Sequence, residues 1–383
     1  MDFSTTPEQD ALVQTAREFA ERELAPHYRA RELERALHRP TLRRMGELSF
    51  FGISLPERHG GLGLDCVTDG LVLEALSGAD MNINYVTVTV SYMGKLLVEF
   101  GAPEVAGPWV AGMVAGEKIP ALSLTEPGGG SDAAHLSFRA RRDGEDWILT
   151  GEKTSISMAA QADFTVLFAR TGTAEQGARG ISAFVVPLDL PGITRTEFDD
   201  HGSKSVGRGS LFFEDVRLPG SHLLGAEGGG FIGVMQGFDY SRALLSLQTL
   251  AVARRSLEET WASAAERTSF GRPLTAHQGV SFPLAEAETQ LTACRWLCLR
   301  TLWLKDQGLP HTAEAAMCKW WGPKLAYEVV QTCLLTSGHG GYSTELPHEQ
   351  RMRDILGLQI GDGTSQIMKL VIARQKAGRT AAP

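Results

Sequence analysis

The sequence predicts an α+β protein in three consecutive parts: helices, then an antiparallel β domain, then a four-helix bundle. Three observations carry this. Apolar residues recur at helical spacing through the first hundred residues. From Ile119 the texture changes to short apolar or alternating runs broken by glycine, proline and aspartate. After "LLGAEGGGF" long apolar-striped segments return and continue to the end. At 383 residues the chain has length for two or three domains and a large core. The expected spans are a helical domain over 1–117, a β domain over 118–224 and a bundle over 225–383.

The first helix has a start signal in Thr6, Pro7 and Gln9: a cap, a first-turn proline and a polar residue three past the cap. Leu12, Ala16, Phe19 and Ala20 then lie on one helical face. "PERHGGLGLD" reads as a glycine-rich loop, and helical patterns resume from Cys66 to Gly78 and from about Asn82 to Phe100. The latter is rich in β-branched residues. "FTVLFAR", "ISAFVVPL", "GITRTEF" and "GSLFFEDVRL" are the strand candidates, and "RRDGEDWIL" places an Asp-Gly turn between two runs. Four long helical segments with short connections then suggest an antiparallel bundle.

Composition excludes several classes. A hydrophobic fraction of 43% with 21% charged residues is ordinary for a globular protein. A net charge of −8 argues against binding to nucleic-acid backbones. The acidic, amphipathic N-terminus is unlike a secretory signal, and no segment reaches the roughly 18 apolar residues of a membrane span. The odd number of cysteines, without metal-type spacing, suits a reducing cytoplasm, and no metal is expected. Cys294 and Cys298, one helical turn apart, read as small core residues.

Three motifs invite chemistry. "GGGFIG", Gly228 to Gly233, fits the dinucleotide template, but no strand feeds tightly into it within a βαβ unit. A flexible entry into the bundle is the expected role. "LTEPGGGSD", Leu124 to Asp132, joins a β run to a turn with hydroxyls at Thr125 and Ser131. Glycines there leave backbone N–H groups open to an anion, against the bland reading of an ordinary turn. "ERTSFGRPLTAHQGVSF" sets Arg267 and Arg272 about a glycine, either as solvated connection residues or as a fork for a pyrophosphate.

Taken in order, "LTEPGGGSD", "GEKTSIS", "FEDVRLPGSHLLGAEGGGF", "FDYSRA", "ERTSFGRPL", "RMRD" and the terminal "GDGTSQI" resemble the acyl-CoA dehydrogenase family over essentially the full length. The resemblance implies FAD bound between the β domain and the bundle, usually in a homotetramer, with an acyl-CoA substrate and an electron-transferring flavoprotein as acceptor. It implies that Leu122, Leu124, Thr125, Gly130 and Ser131 line the flavin, Thr125 at the pyrimidine edge and Ser131 also at the CoA moiety. Ser155 and Ser157 match positions on the dimethylbenzene and N5 side. Arg267, Ser269 and Phe270 match positions holding the FAD diphosphate of a neighbouring subunit, Gln278 an adenine-side contact, and Thr364 and Gln366 further FAD contacts. Asp239 and Arg242 match residues lining the pantetheine end of the thioester. The glycines of "SGHGGY" are assigned only loosely to the adenylate.

Two departures from the family pattern matter. Ser155 stands where a tryptophan is usual, and Gly361-Asp362 stands where tyrosine and the catalytic glutamate are usual. A carboxylate of suitable pKa can take the α proton, so Asp362 is the candidate base. It is one methylene shorter, about 1.5 Å less reach. The bland alternative is that Asp362 only caps the last helix. Both departures enlarge the site and resemble the branch acting on cyclohexane- and cyclohexene-carbonyl-CoA. No acidic residue falls between Met81 and Val98 to serve as a second base for 1,4-dehydrogenation, so α,β-dehydrogenation is expected. Rival readings are a nitroalkane-oxidase-like flavin oxidase, a dehydrogenase of a carrier-protein-bound thioester, and a scaffold without flavin chemistry.

Overall fold

A computed structural model describes residues 4–378, except the side chains of residues 232 and 236; 1–3 and 379–383, the outermost ends of the two terminal spans, lie outside the described residues. Six helices come first: α1 (Pro7–Phe19), α2 (Tyr28–Glu34), α3 (Arg39–Glu47), α4 (Cys66–Ser77), α5 (Met81–Phe100) and α6 (Pro103–Val114). The expected capping box at Thr6 and Gln9 is present. The sequence patterns do not single out α2, α3 or α6; α6 carries Pro108 and two glycines in its interior, which argue against a helix. The β-branched segment is helical because its sides are buried: Val86, Thr87, Val88, Val90 and Ser91 are all inside, and packing overrides propensity. Asp80 caps it, accepting from the amides of Asn82 and Ile83.

The middle part is one sheet. Its strands are β1 (Pro120–Ser123), β2 (Arg139–Asp143), β3 (Asp146–Ile156), β4 (Phe164–Arg170), β5 (Ile181–Pro187), β6 (Ile193–Arg195), β7 (Gly209–Leu218) and β8 (Leu223–Leu224). They run in the order β6-β7-β3-β2-β4-β5-β8, with β1 beside β4. Pairing is antiparallel except where β4 meets β1 and β2. The register of β3 against β7 shifts after Leu149 and again after Lys153, so "GEKTSIS" leaves the regular pleat as it approaches the helices.

The last part holds α7 (Gly230–Glu266), a ribbon of β9 (Thr268–Ser269) and β10 (Arg272–Pro273), α8 (Gln278–Asp306), α9 (Thr312–Thr336), α10 (His339–Tyr342), α11 (His348–Leu356) and α12 (Ser365–Ala377). The long helices α7, α8, α9 and α12 form the bundle, with α9 packed against the other three. One expectation fails: the connection from α9 to α12 is long, spanning 337–364 and holding α10, α11 and a 3-10 turn at Gly357–Gln359. The entry into α7 is also tight rather than flexible. The Gly228 amide donates to Ser182 Oγ at 2.8 Å, and a Cβ on Gly230 would lie 2.5 Å from the Ala183 nitrogen of β5. Glycine is there for close approach, not for binding a dinucleotide.

Asp354 of α11 ties all three parts together. Its carboxylate is buried and accepts from Tyr28 Oη at 2.6 Å, Asn82 Nδ2 at 2.8 Å and the Ser203 amide at 2.5 Å. Burial lifts this carboxyl from its ordinary value to about 6, against the pull of those donors. The folded state therefore holds the proton more tightly than the unfolded chain. That contribution is fully present below about pH 4 and is lost as pH rises through about 6. Asp354→Ala strands the three donors and is expected to cost about 3 kcal/mol or more at pH 7. Thermal unfolding should show the deficit widening as pH falls from 6 to 4; a pH-independent deficit would contradict this account.

Candidate active site

Between the sheet and the C-terminal helices lies a cavity of about 700 Å³, within the range that holds drug-sized ligands. The β side contributes Leu122, Leu124, Thr125, Gly130 and Ser131 from the strand-loop of β1, and Ser155 and Ser157 from the end of β3. The helical side contributes Tyr85 and Thr89 of α5, Phe238 and Arg242 of α7, and the loop Gly361, Asp362, Gly363 and Thr364. Motifs far apart in the chain thus share one wall-to-wall space.

A buried ion pair positions the β-side loop. Lys153 Nζ donates to Glu126 Oε1 at 2.7 Å and to the Leu124 carbonyl at 3.0 Å, and Lys153 is fully buried. Glu126 Oε2 also accepts from the amide and hydroxyl of Ser137. The Thr154 amide donates to the Thr125 carbonyl at 3.0 Å, closing the loop onto β3. Glu126 and Lys153 were not anticipated as site residues, although both sit inside the two motifs that were. Burial pushes the Lys153 ammonium down to about 8, and Glu126 holds it charged.

Asp362 is half-buried, opening onto the cavity, and adopts a left-handed backbone with φ of 55°. Aspartate tolerates that conformation better than most side chains. Gly363 follows at φ of 100°, and a Cβ there would press within 2.5 Å of Met368 Cε. The helix-cap alternative for Asp362 fails: Thr364 caps α12, its hydroxyl accepting from the Ile367 amide. Burial raises the Asp362 pKa, while Lys319 and Arg242 lower it. Arg242 is buried, its Nη1 donating to Asp239 Oδ1 at 2.9 Å, while its Nε has no protein partner. Lys319 is likewise buried in α9 and was missed in sequence. The available signal was its place on the apolar face formed by Ala315, Gly322 and Ala326.

The remaining candidates lie elsewhere. Asp239 lines a neighbouring cavity of about 430 Å³ with Lys95, Lys305 and His311, and accepts from Thr312 Oγ1. Arg267 reaches the Ser337 carbonyl at 3.4 Å, so the arginine motif and "SGHGGY" do meet. Phe270 is 95% exposed at the tip of the β9–β10 ribbon, and Gln278 and Gln366 are also exposed. Within one chain these residues do not join the cavity. All five cysteines are free and buried. No helix among the described residues is long and apolar enough to cross a membrane.

The cavity fits FAD by its donor set. Apolar Leu122, Leu124 and Ile156 offer a surface for a flat ring, beside hydroxyls at Thr125, Ser131, Ser155 and Ser157. Cβ atoms built on Gly128 and Gly129 meet nothing within 4 Å, so the glycine turn stands open. Glu126→Gln strands the buried Lys153 and is expected to cost about 3–5 kcal/mol. Thermal unfolding should show the double variant Glu126→Gln, Lys153→Met recovering most of that loss.

Family models for the acyl-CoA dehydrogenase N-terminal, middle and C-terminal domains match residues 6–117, 121–216 and 228–377. The mitochondrial short-chain specific acyl-CoA dehydrogenase of Mus musculus is 38% identical over 371 residues, 94% of this chain and 88% of the relative. The butyryl-CoA dehydrogenase structure from Megasphaera elsdenii superposes with a TM-score of 0.94 at 30% identity, over 98% of this chain and all of that one. A chain in a structure of the electron transferring flavoprotein of Acidaminococcus fermentans gives 0.95 at 33% identity, over 98% and 99%. With its three-part fold and its carboxylate set in a cavity between sheet and bundle, this chain belongs to the acyl-CoA dehydrogenase family, FAD-dependent oxidoreductases of acyl-CoA thioesters.

Proposed function

We propose that this enzyme carries out α,β-dehydrogenation of a bulky or alicyclic acyl-CoA, such as cyclohexane- or cyclohexene-carbonyl-CoA, with Asp362 as the base. The observation that carries this is the cavity-facing Asp362 carboxylate, whose pKa burial raises above its ordinary value while Lys319 and Arg242 pull against that rise. Asp362 takes the proton from the carbon α to the thioester carbonyl. Bound FAD supplies the acceptor, at N5, for hydride from the β carbon. The backbone N–H of Asp362 donates to the thioester oxygen and stabilises the enolate-like charge. Thr125, Ser131, Ser155 and Ser157 hold the cofactor, with Leu122, Leu124, Gly130 and Thr364 as further contacts; Gln366, outside the cavity within one chain, is a further contact by the family pattern alone.

Gly361 favours a wide acyl group. It lines the cavity beside the base without a side chain, and a Cβ there would meet only the Gly357 carbonyl, at 3.7 Å. Ser155 leaves similar room on the β side. A bulky acyl group filling that space presses its α carbon toward the shorter aspartate. Arg267, Ser269, Phe270 and Gln278 serve the FAD of a neighbouring subunit; the exposure of Arg267, Phe270 and Gln278 in one chain is what such a contact requires. We assign a homotetramer, a cytoplasmic site of action, and an electron-transferring flavoprotein as acceptor. Asp239 and Arg242 line the path of the pantetheine arm.

The test is anaerobic mixing with straight, branched and cyclic acyl-CoAs. Flavin bleaching near 450 nm is expected to be fastest with the cyclic thioesters; fastest reduction by short straight chains would overturn the alicyclic assignment. Asp362→Asn should retain flavin but lose about 10²–10⁴-fold in reduction rate. Asp362→Glu, which moves the carboxylate by about 1.5 Å, should lose about 100-fold. Turnover of nitroalkanes with oxygen, and no reduction by any thioester, would overturn the dehydrogenase reading.

A further inference from the structure

Lys319 occupies a core position where an apolar side chain would avoid the cost of burying a charge. Its Nζ is directed at the segment that carries the base. It donates to the Leu358 carbonyl at 2.5 Å and to the Gly363 carbonyl at 3.3 Å. Those two carbonyls bracket Asp362. Between them the chain leaves a 3-10 turn at Gly357–Gln359 and passes through left-handed backbone at Asp362 and Gly363 before α12 begins. The Ile360 and Gly361 amides close back on the Gly357 carbonyl, but the left-handed Asp362 and Gly363 continue beyond that turn, and the one ammonium tied to both Leu358 and Gly363 spans the segment. We propose that Lys319 is the positioning residue for the base: it cinches the 358–363 segment so that Asp362 faces the cavity, and its charge favours the carboxylate form there.

The electrostatics agree with the geometry. Asp362 is the group that holds the Lys319 ammonium charged against burial, and Arg242 of α7 opposes it; the net effect pushes Lys319 down to about 8. Around Asp362 itself stand Lys319 from α9, Arg242 from α7, and Tyr85 and Tyr92 from α5, whose own ionisation is suppressed first by burial and then by Asp362. Arg242 shares its charge with Asp239 at 2.9 Å. Among the described residues Lys319 makes no ion pair that would divert its charge, and Asp362 is the carboxylate that acts on it.

The inference rests on Asp362 being the base, and its test separates the two. Lys319→Met removes tether and charge; Lys319→Gln keeps a neutral N–H donor and guards against the first variant failing to fold. In the flavin-loaded protein, hydrogen exchange of peptides spanning 356–368 should speed at least tenfold in Lys319→Met relative to the rest of α12. In anaerobic flavin reduction, the acid limb of the rate–pH profile should move up by about one pH unit or more in both variants. The rate at pH 7 should fall about 100-fold in Lys319→Met. Affinity for a non-reducing thioether analogue of the thioester should stay within threefold of native. Unchanged exchange in Lys319→Met, or an unmoved acid limb in Lys319→Gln, overturns the proposal. If Asp362→Asn still reduces flavin, the base assignment itself has failed, whereas the exchange measurement still reads the clamp.

Discussion

A half-buried carboxylate facing the cavity, with two buried cations beside it, is the constraint on which the rest of this structure depends. Burial alone drives Asp362 toward its neutral form. Two cations from two bundle helices, Arg242 of α7 and Lys319 of α9, partly offset that drive, and the carboxyl stays above its ordinary value. Each is itself buried and therefore costly, so each needs further partners. Arg242 finds Asp239, which in turn takes a hydrogen bond from Thr312. Lys319 finds backbone carbonyls. The chemistry of one side chain thus dictates polar residues two helices away.

The same physics recurs where the three parts of the fold meet. Asp354 of α11 sits at the junction with α2, α5 and the β domain, and its carboxylate accepts from one donor on each of them. Lys153 and Glu126 weld the glycine-rich loop to β3. These polar contacts are directional, unlike the apolar packing around them, and so specify how sheet and bundle register against each other. Because the cavity lies at that seam, small errors in registration would be felt as misplacement of Asp362.

Much was legible in the chain. The α–β–α order, the capping box at Thr6, the strand runs from "FTVLFAR" to "GSLFFEDVRL" and the motif order all follow from local periodicity and residue chemistry, which the fold preserves. Helices α2, α3 and α6 were not legible: α2 and α3 are short, and α6 holds Pro108 and two glycines, which mask a helix in sequence. The tightness of Gly230 against β5 was hidden because its partner is distant in sequence. The α9–α12 connection looked short because α11 carries its polar residues inward, to Glu259, Asp354's donors and α2, where a helical period in hydrophobicity cannot register them.

What the sequence by itself determined is the chemistry on offer: an aspartate where a longer acid is usual, glycine and serine where rings are usual, and hydroxyls beside a glycine turn. Only the tertiary structure decided what Asp362 would be. Thr364, not Asp362, takes the helix cap, which leaves the carboxylate to the cavity. A lysine indistinguishable by composition from any solvated one becomes its neighbour, because α9 turns that face inward. Through-space charge has no sequence signature: the separation in the chain between residues 319 and 362 says nothing of the distance across the fold.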